Sequence, residues 1–182
     1  KIPFKLTESQ LKVIKEIEDD LNKETPMLRL LQGDVASGKT IVALITLANV
    51  LKKNIQAAIM VPTELLAIQH YNYFSDLFKD IRVNIVLLTS KINNKEKEIV
   101  QKKIEDGVAQ IIIGTHAIFQ KNINFKNLGY IIIDEQHRFG VHQKFQLSVK
   151  GCNPHILVMT ATPIPRTLAL TMYGNMSISK IT

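Results

Sequence analysis

Short apolar runs recur along the chain at 27–32, 55–61, 82–88, 110–113, 130–133 and 155–159, and stretches of helix length separate most of them. Hairpin loops need only about two to five residues, so gaps of this size argue for parallel strands joined by right-handed crossovers. The runs at 110–113 and 130–133 read as strands covered on both faces. The expectation is an α/β fold: a doubly wound, mainly parallel sheet with helices on both faces. Ligands of such sheets sit beyond the carboxyl ends of the strands, so the residues just after each run are where chemistry belongs.

Helix signals fill the gaps. Thr7, Glu8, Ser9 and Gln10 form a capping box, and Leu11, Ile14, Ile17 and Leu21 follow at helical spacing. A glycine-containing turn after 27–32 leads into an apolar helix ending near Leu51. Pro62 stops the next run, and Thr63 caps a helix reaching about Phe78. A charged helix is expected over 95–105, and Pro165 opens another that ends near Met172.

With 182 residues, 46% of them hydrophobic and 21% charged, the chain suits one compact domain over 1–182 and excludes a disordered or fibrous class. A lone cysteine, Cys152, excludes a disulfide framework and fits a reducing, cytoplasmic setting. No apolar run approaches the roughly 20 residues of a membrane span, so no membrane partner is expected. The net charge of +7 suits a polyanionic partner such as nucleic acid, although a solvated lysine-rich surface explains it equally well. The first residue is Lys1, without an initiator methionine, which suggests a piece of a longer protein.

The segment Gly33-Asp34-Val35-Ala36-Ser37-Gly38-Lys39-Thr40 matches the phosphate-binding loop pattern and lies between an expected strand and an expected helix. Its glycines let backbone N–H groups wrap around phosphate oxygens, and the helix N-terminus adds partial positive charge. Lys39 would reach the β- and γ-phosphates of ATP, and the Thr40 hydroxyl would ligate Mg²⁺. The run at 130–133 ends in the paired acids Asp134 and Glu135. Asp134 would hold Mg²⁺ through water, because that ion keeps most of its hydration shell. Glu135 would orient or deprotonate the attacking water. Thr63 and the group Gly114, Thr115 and His116 each offer N–H groups and a hydroxyl at an expected helix start, which suits backbone phosphates of DNA. Arg166, after two prolines, is placed either on a phosphate or in a salt bridge at the sheet edge.

Longer strings carry a resemblance. Asp134-Glu135-Gln136-His137 with Arg138-Phe139-Gly140-Val141, and Met159-Thr160-Ala161-Thr162-Pro163-Ile164-Pro165-Arg166-Thr167, resemble motifs II and III of RecG-type branch-migration helicases. Pro62-Thr63-Glu64-Leu65-Leu66-Ala67-Ile68-Gln69-His70 is similar to motif Ia, Gly114-Thr115-His116-Ala117 to motif Ic, and Phe4-Lys5-Leu6-Thr7-Glu8-Ser9-Gln10 to the Q motif. The resemblance implies the first RecA-like motor domain of an ATP-dependent DNA helicase of recombination and repair, acting as a monomer. It implies that Gln10 reads the adenine edge, a role beside its place in the capping box. Thr160 and Thr162 would couple the nucleotide site to DNA through hydroxyl hydrogen bonds to the motif II acids, with His137 as a relay. A second RecA-like domain of the same chain would supply an arginine to the ATP site, so this domain alone should hydrolyse little ATP.

Two positions depart from the family pattern. Ala36 replaces a common glycine, which is tolerable while its backbone angles stay negative. Ser90 also replaces a glycine, which weakens any DNA role for Thr89. Two rivals stay open at this point. One is a transcription-repair coupling translocase, which usually has glutamate where Gln136 stands. The other is a nucleotide-binding module without catalysis, which would have no need of Glu135.

Overall fold

Successive side chains of a strand go to opposite faces of the sheet, and here both faces are apolar. The computed structural model describes residues 5–120, 122–134, 153–162 and 176–182. In chain order they form α1 (Glu8–Leu21), β1 (Leu28–Gly33), α2 (Lys39–Leu51), β2 (Gln56–Met60), α3 (Glu64–Phe78), β3 (Ile85–Leu88), α4 (Asn94–Glu105), β4 (Ile111–Gly114), a 3₁₀ turn (His116–Phe119), β5 (Leu128–Asp134), β6 (His155–Thr160) and β7 (Ser177–Ile181). The strands make one seven-stranded sheet in the order β3-β4-β2-β5-β6-β1-β7. Every neighbouring pair is parallel.

On one face Leu31, Ile59, Ile113, Ile132 and Leu157 meet Val13 and Ile17 of α1, Val42 and Leu47 of α2, and Phe74 of α3. On the other, Leu30, Ala58, Ile112, Ile131 and Val158 meet Ile104 of α4 and Ile118 of the 3₁₀ turn. The expected doubly wound sheet is therefore present. The helix expected from Pro165 lies outside the described residues.

Local chemistry sets the helix ends. At α1 the capping box is complete: Gln10 N donates to Thr7 Oγ1 at 3.2 Å, and Thr7 N donates to Gln10 Oε1 at 3.0 Å. Thr63 caps α3 by accepting from Leu66 N at 3.3 Å, and Asn93 caps α4 by accepting from Glu96 N at 2.9 Å. The hydroxyl of fully buried Tyr130 on β5 meets Thr46 Oγ1 of α2 at 3.0 Å, and burial pushes its pKa up.

Two differences from the sequence reading fall on the sheet edges. The third strand is shorter than 82–88 and begins at Ile85; Val83 N already turns back to Ile81 O at 2.8 Å. Strand β7 was not expected at all, yet it pairs with β1 from Arg29↔Ser177 to Gly33↔Ile181.

No helix among the described residues is long and apolar enough to cross a membrane.

Candidate functional site

The strand order distributes the carboxyl ends into two groups. Strand β1 is followed across the sheet by β6 and then β5, with Gln32 level with Thr160 and Asp134 level with Met159. At about 4.8 Å per strand spacing, the end of β1 and the end of β5 stand about 10 Å apart with β6 between them. The phosphate loop, Asp134, Thr160 and Thr162 therefore share one neighbourhood. Strands β3, β4 and β2 end together beyond β5, where Leu88 and Met60 are both level with Gly114, and β2 is itself the neighbour of β5, with Met60 level with Ile133. Thr63, Thr115 and His116 belong to this second group.

The phosphate loop is held by its own groups and by α1. Lys39 Nζ donates to Gly33 O at 2.6 Å and to Asp34 O at 2.7 Å. Gln10 Nε2 donates to Ser37 O at 2.9 Å, so one amide caps α1 and fixes the loop. Gly38 precedes α2 with φ of 89°, and a Cβ there would stand 2.3 Å from Gln10 Nε2. The positive φ favours glycine, and a side chain there would also displace the Gln10 amide from Ser37 O. A Cβ on Gly33 would likewise stand 2.4 Å from Ser37 Oγ.

Ala36 corrects one expectation. Its φ is 66°, in the left-handed region rather than at negative values, where a side chain costs about 1–2 kcal/mol. Ala36→Gly removes that cost and gives back part of it through the freer unfolded chain. The net expectation is a gain of roughly 0.5–1 kcal/mol, or about 1–4 °C in melting temperature. A melting temperature that stays put or falls would show that the loop carries no strain at Ala36.

A triphosphate fits what this loop offers. Ser37 Oγ is buried without a hydrogen-bond partner among the described residues, an unmet group in the segment expected to face phosphate. The loop feeds the N-terminus of α2, whose first N–H groups have no intrahelical acceptor. Beside it runs an open groove of about 430 Å³, lined by Gly33, Asp34, Ala161 and Lys180 among others. For a metal, Thr40 and Asp134 are hard oxygen donors of the kind Mg²⁺ takes when phosphates complete its shell. Among the described residues, no group of three or more His, Cys, Asp or Glu side chains is arranged to hold a metal.

The two coupling threonines bond each other, while Glu135, the second motif II acid, lies outside the described residues. Thr160 Oγ1 and Thr162 Oγ1 bond each other at 2.9 Å, and Thr162 N donates to Thr160 Oγ1 at 3.1 Å. Neither reaches Asp134 among the described residues. Asp134 Oδ2 instead meets His70 Nε2 at 3.3 Å, a contact the sequence reading missed. Glu135, His137 and Arg166 lie outside the described residues.

At the second group, Gly114 has a packing reason of its own: a Cβ there would stand 1.9 Å from Leu88 O. Thr115 and His116 begin a single 3₁₀ turn rather than the helix expected, and Thr115 makes no side-chain cap, while Thr63 does cap a helix. Glu64, next to Thr63, is tied to Lys91 at 2.8 Å. The hydrogen bond from Lys91, then that from Thr89, holds its carboxyl below the usual range. Thr89 is thus buried against α3.

The sequence matches the DEAD/DEAH box helicase family over residues 7–171. The chain belongs to that family. Within it, the chain is 56% identical over 183 residues to the ATP-dependent DNA helicase RecG of Aquifex aeolicus, covering 100% of this chain and 23% of that protein. It is 48% identical to RecG of Escherichia coli strain K12, covering 99% of this chain and 27% of the relative. A solved structure of RecG bound to a three-way DNA junction superposes with a TM-score of 0.84 at 42% identity, over 100% of this chain and 25% of that one. The DUF1998 helicase MrfA, at 17% identity and a TM-score of 0.75, shares the fold, over 99% of this chain and 31% of its own. The chain thus spans about a quarter of the length of the RecG relatives it matches. Similarity at this level favours the RecG-type reading over the two rivals.

Proposed function

We propose that residues 1–182 form the ATP-binding motor domain of a DNA helicase that remodels branched or double-stranded DNA, in line with the RecG relatives. The observation that carries this reading is the phosphate loop closing β1 within two strands of Asp134, with Ser37 Oγ, between its glycines, unpartnered among the described residues. Gly33 to Thr40 take the phosphates, and Gln10, beside the loop through its bond to Ser37 O, reads the adenine edge. Thr40 and Asp134 would hold Mg²⁺, which would supply positive charge to offset that of the phosphates. Glu135 acts on the attacking water. Thr160, Thr162 and His137 link the nucleotide to the DNA track, and a second RecA-like domain completes the ATP site with an arginine. The protein acts in the cytoplasm as a monomer.

Thr63, Gly114, Thr115, His116 and Arg166 hold DNA by its backbone. Thr63, Gly114, Thr115 and His116 follow the ends of β2 and β4, away from the phosphate loop, which supports separate tracks for the two ligands. Backbone contacts carry no sequence information, as a translocase requires. The expected result is weak binding that is indifferent to sequence, with log affinity falling against log salt at a slope of about −2 to −4. Fluorescence anisotropy with two duplexes of unrelated sequence and one three-way junction, over a range of KCl, measures it. A salt-independent affinity that differs between the two duplexes would contradict backbone binding.

A further inference from the structure

We propose that His70 is a positioning residue for Asp134, fixing the carboxylate that takes the metal; this rests on the reading of Asp134 as the Mg²⁺ ligand. His70 lies in α3, two turns beyond the Thr63 cap, and its Nε2 stands 3.3 Å from Asp134 Oδ2. Both side chains are largely shielded, at 13% and 18% exposure. An ionised carboxylate only accepts, so Nε2 must carry the proton in this contact. The ring is itself held. It stacks on Phe74, with centroids 6.0 Å apart and planes 29° apart, and Phe74 stacks on Phe78. Phe74 is 1% exposed, so this backing does not move with solvent. His70 Nδ1 is buried with no partner among the described residues, and the polar contact of the ring on its other edge is the 3.3 Å approach of Nε2 to Asp134 Oδ2. A side chain locked on one edge by aromatic packing, and presenting a single N–H to a carboxylate, suits a residue that sets the rotamer of a metal ligand.

The test separates metal binding from nucleotide binding. ADP affinity is measured without divalent metal for the unaltered chain, His70→Leu and His70→Gln, and Mn²⁺ affinity of each ADP complex is then read from the free-ion electron paramagnetic resonance signal. Gln keeps an N–H near the ε position, whereas Leu has none. The expected result is equal metal-free ADP affinity throughout, Mn²⁺ affinity lowered about 10-fold or more in His70→Leu, and recovery of most of that loss in His70→Gln. Unchanged Mn²⁺ affinity in His70→Leu, or a Gln variant as weak as Leu, overturns the proposal. Should His70→Leu fail to melt cooperatively, the imidazole ¹⁵N spectrum of the unaltered chain decides: protonated Nε2 supports the role, and a neutral Nδ1–H ring overturns it. If the unaltered chain binds no ADP, the nucleotide reading fails and the role of His70 with it. If ADP binds and only the Mn²⁺ response is missing, His70 alone is at fault.

Discussion

Lys39→Ala is expected to weaken ADP binding on the order of 100-fold while leaving the fold intact. The side chain is the one cation in the loop, and charge-assisted bonds to phosphate are the strong ones. Losing about 3 kcal/mol of such contact corresponds to roughly 100-fold in affinity. Lys39 must exchange Gly33 O and Asp34 O for phosphate oxygens, and this exchange keeps the figure from being larger. The same exchange explains why stability should hold. Lys39 and Asp34 are not buried, so water can replace the ammonium at the carbonyls it leaves. Calorimetric titration with ADP and a thermal melt of both proteins measure the two effects. Equal affinity in the variant would remove the phosphate-loop assignment.

Arg29→Ala is expected to cost about 3–5 kcal/mol of stability, the usual price of stranding one partner of a buried ion pair. Arg29 enters β1 and donates from Nη2 to Asp20 Oδ2 at 2.6 Å, from Nε to the same oxygen at 3.0 Å, and from Nη1 to Ser179 Oγ at 2.6 Å. Glu16 closes the group at 3.3 Å from Nη1. One guanidinium therefore pins α1, β1 and β7 together, and its fork cannot be copied by lysine. For a domain of this size the loss corresponds to about 6–20 °C in melting temperature. The pairing also sets a pH dependence. Burial pushes the Asp20 carboxyl up, but Lys23 and Arg29 together outweigh it and hold the group below its usual value. A depressed carboxyl contributes stability above its unfolded pKa, near 3.9, and loses it as pH falls through the folded value. The stability gap between the unaltered chain and Asp20→Asn should therefore be full at pH 6 and close as the pH drops below about 4. A gap of constant size down to pH 3 would show that Asp20 is not held ionised. ADP affinity should survive both changes, because Arg29 sits about 13 Å of strand away from Gly33.

The interior of the sheet was legible because central strands are apolar on both faces, and 55–61, 110–113, 130–133 and 155–159 all carried that mark. The edges were not. In β7, Ser177, Ser179 and Lys180 break the apolar pattern, and Ser179 is buried by Arg29 and Glu16 rather than by apolar packing. At the other edge, Arg82 and Val83 look like strand, but β3 spans only Ile85–Leu88 and pairs with β4 alone among the described residues. In the site, the phosphate loop and the Asp134 strand end were readable because each is a continuous string. The capping box of Gln10 was readable, whereas its bond to Ser37 O, which spans 27 residues, was not. His70 escaped because it lies on α3 while its partner ends β5, far along the chain. A signal did exist: at seven residues past Thr63 it falls on the stripe of Ala67, Phe74 and Phe78, the buried face of α3, where a polar ring calls for a partner.

The central claim is that nucleotide and DNA occupy different groups of strand ends on one sheet. Backbone amide shifts in a ¹⁵N-labelled sample, recorded with ADP and Mg²⁺ and separately with a short duplex, address it directly. ADP should move Gly33 to Thr40, Gln10, Asp134 and Ala161, while DNA should move Thr63, Gly114, Thr115 and His116. ADP shifts centred on the ends of β2 and β4, or both ligands perturbing one common set, would contradict it.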